Sequence, residues 1–230
     1  MLILWNTQAK NRNRIVAIRD NAPTAVEALA LMFTDANIFD NGSIRARLLT
    51  ILAATEHRFV PGLHTGLKIG LTGFSKEFED PWPSSADQAG HFLTAVRLAY
   101  DFTFLNNPIF QLLLGGWGDD DIPLRLIIGH EKEPDPPDVN KLSVKALFDA
   151  IRQFRAQYQS VSRQDVANFR NGNLDAIQVG VGVGNSREDL RLSYKGWLFG
   201  QWIAAGKFKD AAEIAQWIRM ELGGAKSKQS

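Results

Sequence analysis

A chain of 230 residues, 45% of them hydrophobic, is long enough to bury a core without disulfides or structural metals. Its 26 basic and 25 acidic residues nearly cancel, so no global field draws it to nucleic acid or to an anionic membrane. It contains no cysteine, which excludes disulfides, thiolate nucleophiles and Cys-ligated zinc.

The opening "MLILWNTQAK" is too short for a signal-peptide core, and no apolar run reaches the ~18 residues of a membrane span. The expectation is a cytoplasmic protein, or one exported without a cleavable signal. Residues 1–22 do not declare a period, and "RIVAIRD" reads as a short strand. A helix start follows at "NAPTAVEALALMF", where Thr24 and Glu27 have capping-box spacing and Pro23 suits a first turn. Asn41-Gly42 marks a turn. Ser43 then caps "IRARLLTILAATEHRF", with Ile44, Leu48, Ile51 and Leu52 on one side. "VPGLHTGLKIGLTGF" carries a glycine every third or fourth residue, which suits a loop or small hairpin better than a helix. "SKEFEDPWPSS" is an acidic loop around Trp82.

A third helix begins near Ser84 or Ser85 and reaches Phe104. "LRLIIGHE" is too short for periodicity to separate a strand from a buried helix. "EKEPDPPD" is the strongest break in the chain, because three prolines among acids continue neither element. It suggests an N-terminal lobe over 1–133 and a helical lobe over 134–230, packed as one domain. Beyond it, Val144, Leu147, Phe148, Ile151, Phe154 and Tyr158 share a helical face. Ser162/Asp165 and Ser186/Asp189 have cap spacing, and a last helix spans roughly Asp210 to Leu222. The fold class is therefore mainly α: roughly seven helices in one compact domain, with room for a small hairpin or a few short strands.

The candidate chemistry gathers between Glu56 and Glu131, where all four histidines lie: His57, His64, His91 and His130. At about 100° per residue, His91 falls about 40° from Asp87, on the side of Leu98 and Phe102. An acid one turn before a histidine can accept its ring N–H and set the tautomer. The simpler reading makes Asp87 a helix cap and His91 a satisfied core histidine. His130 and Glu131 end an apolar run, where side chains are delivered to a surface, and the bland expectation is the start of a solvated loop. HExxH is absent and no two histidines stand four apart, so the expectation is no metal and no cofactor.

Glu56 ends an apolar helix just before the Gly-rich segment that carries Thr65, Ile69, Gly70 and Gly73. That order is similar to the lysozyme superfamily, in which a glutamic acid ends a helix and a small sheet follows. The resemblance implies Glu56 as general acid, with Glu77, Glu79 or Asp80 as second carboxylate. Gly180, Gly182 and Gly184 precede a capped helix but match neither nucleotide-binding glycine pattern, and alternating glycine also suits a closely packed strand. Asp119, Asp120 and Asp121 lack EF-hand spacing and read as a solvated turn. Trp82 and Trp117 sit in loops and suit a sugar groove or a protein interface, while Trp197, Trp202 and Trp217 read as core.

Two functions remain open on these grounds. One is a hydrolase with a glycan-type substrate, using Glu56, Asp87, His91, His130 and Glu131, with Trp82 and Trp117 binding substrate. The other is a non-catalytic interaction or structural module of a larger assembly. The expected partner is a protein or a glycan, with no nucleic acid and no membrane span.

Overall fold

The structure is a computed structural model. It describes residues 2–38, 42–55, 69, 72–79, 88–100, 121–132, 152, 155, 156, 158–180 and 186–224. Among these residues there are eight α-helices, one short 3-10 turn and no strand. In chain order the helices are α1 (Leu2–Asn21), α2 (Ala25–Thr34), α3 (Ile44–Ala54), α4 (Gln88–Tyr100), α5 (Ile122–His130), α6 (Arg163–Arg170), α7 (Arg187–Ala204) and α8 (Ala211–Glu221). The 3-10 turn is Leu174–Ala176. No helix among the described residues is long and apolar enough to cross a membrane. The Gly-rich segment lies mostly outside the described residues, as does "EKEPDPPD" after Lys132.

Local chemistry accounts for the helix starts. Thr24, Ser43, Ser162, Ser186 and Asp210 each stand in extended backbone and accept a backbone N–H three residues on. The Ser162/Asp165 box closes in both directions. At Thr24 only half the box forms, because the Glu27 carboxylate turns outward to Arg219. Pro23 precedes this cap and is not in the first turn. "RIVAIRD" is helical and forms the end of α1. Asn11, Ile15 and Ile18 are all buried at spacings of four and three, so one helical stripe reaches the core. "LRLIIGHE" is helical through His130, with Leu124, Leu126, Ile127 and Ile128 buried. Gly42 takes φ +81° at the Asn-Gly turn, a conformation L side chains rarely adopt.

Two apolar clusters form the core. The first gathers α1, α2, α3 and α8 around Phe33, Phe92 and Phe199. The second gathers α5 and α6 with Tyr158, Leu174 and Ile177 around Phe169. Each draws on residues from both sides of the proline-rich break. Helices α4 and α7 serve both clusters, with Phe92 and Val96 in the first and Ala95 and Leu98 in the second. On α7, Leu192 and Phe199 face the first cluster while Leu190 and Trp197 face the second. These two helices form the wall between the clusters. Trp197 is core, but Trp202 and Trp217 keep partial exposure in an aromatic group with Phe208.

Glycine lets the wall close. A Cβ on Gly196 would run into the Phe92 carbonyl oxygen, and one on Gly200 would lie 2.7 Å from the Val96 carbonyl oxygen and from Ala99 Cβ. Both contacts advance by four residues together, so α4 and α7 run parallel and their N-termini lie at the same end.

Gly196→Ala is expected to destabilise the fold by about 1–3 kcal/mol, since the obstacle is backbone and cannot swing away. That exceeds the ~1 kcal/mol alanine gains in helix propensity. Urea unfolding checks this; a variant as stable as the wild type would refute the close approach. The Glu27–Arg219 pair, 2.6 and 2.8 Å, ties α2 to α8 and holds the Glu27 carboxyl below its ordinary range. A carboxyl with a depressed folded pKa stabilises above its unfolded pKa, and that contribution fades as pH falls through the folded value. Both partners are part-exposed, so Glu27→Gln should lower stability by at most about 1 kcal/mol at pH 7. At pH 3 the difference should shrink toward zero, as denaturant curves at the two pH values would show.

Candidate functional site

Three helix ends meet beside the wall. Because α4 and α7 are parallel, the first turn of α4 stands next to the first turn of α7. The C-terminus of α5 closes the third side. Gln88 and His91 come from α4, His130 and Glu131 from the end of α5, and Asp189 from α7.

His91 sits between two carboxylates, with Nδ1 3.3 Å from Glu131 Oε1 and Nε2 3.9 Å from Asp189 Oδ2. Both carboxylates are sealed, with side chains 1% and 0% exposed, while the His91 side chain keeps 11%. The His130 ring, also partly exposed, lies 5.4 Å from that of His91 between centroids. His91, His130 and Glu131 each offer one ligand atom, and these lie within 4.8 Å of one another. Among the described residues no other three metal-ligating side chains converge in this way.

Hydrogen bonding here is lopsided. Gln88 Nε2 donates to Asp189 Oδ1 and to the Phe78 carbonyl, each at 2.7 Å. Gln88 Oε1, Asp189 Oδ2 and both Glu131 carboxylate oxygens are buried and accept no hydrogen bond among the described residues. The Glu131–His91 contact is thus within ion-pair reach without being directed as a hydrogen bond. Lys132, the cation next in sequence, turns away to Asp165 at 2.9 Å. Burial pushes the Glu131 carboxyl above its ordinary range; His91 and His130 offset this only in part, and Asp189 adds to it. Asp189 stands in the first turn of α7, where the helix dipole favours an anion, while Glu131 caps the unfavourable end of α5.

Of the residues singled out in the sequence, His91, His130 and Glu131 come together. Glu56, Asp87, Trp82 and Trp117 lie outside the described residues, as do His57, His64, Thr65, Gly70, Asp80, Asp119, Asp120, Gly182 and Gly184. Glu131 does not start a solvated loop. The docking of α5 buries it, and the Gly180 N–H donates to its carbonyl at 2.8 Å. That N–H is therefore already committed and does not face a phosphate. The carboxylates seen facing His91 come from other helices. Glu77 and Glu79 are exposed on the surface. Asp121 pairs with Arg170, so the acidic turn is tied down at its last residue.

Asp189 and Gln88 were not evident as site residues in the sequence. Asp189 reads there as the third residue of a cap, and its N–H does bond Ser186. Its carboxylate is elsewhere, on the buried stripe Asp189, Ser193, Gly196, Gly200 that faces α4. An acid in line with the small residues of a close helix contact was the signal available.

No family model, no curated protein and no solved structure matches the chain.

Gln88→Leu removes the one described donor to Asp189 and orphans the Phe78 carbonyl. Each buried orphan costs about 1–3 kcal/mol, so a comparable loss of stability is expected in urea. An unchanged midpoint would show that Gln88 does not compensate the buried carboxylate.

Proposed function

We propose that this protein is a hydrolase whose reacting water is held and activated at the exposed edge of the His91–His130 pair. The observation that carries this reading is the clamping of His91 between two buried carboxylates while its ring still reaches solvent. A carboxylate facing each ring nitrogen restricts the orientation of the ring and favours a proton on it, which is a setting suited to proton transfer. Four buried acceptor atoms that receive no hydrogen bond among the described residues are a costly arrangement that structural packing alone does not call for. A glycan-type substrate remains the preferred class on the sequence reading of Trp82, Trp117 and Glu56 alone.

The test is a panel of chromogenic glycosides, carboxylic esters and phosphoesters. Wild type is compared with His91→Asn, Glu131→Gln and Asp189→Asn. Hydrolysis of one class is expected, with His91→Asn losing about 10²–10⁴-fold in kcat. Turnover of nothing in the panel, or turnover indifferent to all three variants, would sink the reading.

The partly exposed group Trp202, Phe208 and Trp217, with Lys207 Nζ 5.2 Å from the Trp202 ring centroid, favours the interaction module as second reading. A role in that patch predicts that Trp202→Ala leaves hydrolysis intact and abolishes association in sedimentation. A variant that sediments like the wild type would remove it.

A further inference from the structure

We infer that His91, His130 and Glu131 bind a divalent transition-metal ion of the zinc class, with Asp189 and Gln88 positioning His91 from behind. This rests on the hydrolase reading for what the ion does there. Whether the ion binds depends on the ligands alone.

The first argument is charge. Glu131 and Asp189 are sealed from water within 4 Å of one imidazole, and no lysine or arginine faces them among the described ion pairs. Two buried carboxylates need compensation. A doubly charged cation neutralises both and leaves the imidazoles uncharged, the form that ligates. The second argument is the surplus of acceptors. The Glu131 oxygens accept no well-directed hydrogen bond among the described residues, and a cation bound by one of them would supply the missing partner.

The third argument is geometry. Bonds of about 2.1 Å in a tetrahedral site put neighbouring ligand atoms about 3.4 Å apart. The His91 Nδ1–Glu131 Oε1 separation is already 3.3 Å. The widest separation in the trio is at most 4.8 Å. With Nδ1 given to the ion, Nε2–H points toward Asp189 Oδ2, 3.9 Å away, and Asp189 is in turn held by Gln88. Closing that gap to hydrogen-bond distance would complete the carboxylate–histidine–metal chain that fixes ligand orientation in metal sites.

Two imidazoles and one carboxylate suit zinc, iron(II), cobalt(II) or manganese(II) better than calcium, which takes six or more oxygens. Three protein ligands also leave a position for water. A zinc-class ion lowers the pKa of that water to about 7, so activation of the nucleophile falls to the ion. The sequence hides the site because its ligands stand 39 to 40 positions apart on two helices, with no short motif joining them.

The test uses the full chain stripped of metal on a chelating resin. It is titrated with cobalt(II), followed by visible absorption, and with zinc(II), followed by calorimetry. One equivalent of each is expected, with cobalt bands typical of a low-coordinate nitrogen/oxygen site. Glu131→Gln and His130→Gln should each weaken binding more than 100-fold, beyond the ~10–100-fold expected for Gln88→Ala, which touches only the outer partner. Glu77→Gln, on the exposed loop, should bind like the wild type. His130 is part-exposed, so its variant remains readable if Glu131→Gln unfolds, and circular dichroism verifies helix content. No binding by the folded wild type, or binding undiminished in folded His130→Gln, overturns the inference. Hydrolysis that survives metal removal overturns the ion's role in activating water and spares the hydrolase reading. Tight one-to-one binding without hydrolysis of any substrate does the reverse.

Discussion

The contact of α7 on α4 through Gly196 and Gly200 is the constraint from which the rest follows. Side chains at either position would hold the backbones apart, because the obstacles are the Phe92 and Val96 carbonyls. With glycine there, the two helices lie flush and parallel. Each can then present an outer face to a different apolar cluster. The same register sets Asp189 against Gln88 and His91.

Three other part-buried carboxylates among the described residues are compensated by named partners. Glu27 receives two bonds from Arg219, and Asp35 is gripped by Arg14. Asp165 accepts from Ser162 twice and from Lys132. All three are held below the ordinary carboxylate range by these partners, against the burial that works the other way. Glu131 departs from this rule. It is the most deeply buried of these acids, burial dominates its ionisation, and its neighbouring lysine serves Asp165. Asp189 shares part of this departure, with one buried oxygen unbonded among the described residues, so the two acids without a full set of partners are the two that face His91.

The helix starts were legible because capping is decided within four residues. Thr24, Ser43, Ser162 and Ser186 could be named from spacing, and the structure shows each accepting its bond. The end of α1 was not legible, since "RIVAIRD" spans too little chain to reveal that Asn11, Ile15 and Ile18 form one stripe. For "LRLIIGHE" the alternatives were correctly two, and packing of α5 against α6 selected the helix. His91 reads from the helical wheel as turned toward apolar neighbours, and in the structure its ring nitrogens face two carboxylates. That Glu131 would be buried was not, because "HEKE" is polar in sequence and only the docking of α5 and the Gly180 contact remove it from water.

By itself, then, the sequence determined the helical class, the cap positions, the absence of thiol chemistry and the crowding of histidines into one half. These are properties of composition and of neighbours a few residues apart. Only the tertiary structure decided which acids face His91. Glu131 lies 40 positions from it and Asp189 lies 98, and a separation of that kind carries no periodic signal. The meeting depends on two glycine contacts between helices, a long-range interaction whose outcome is written in space and not in spacing.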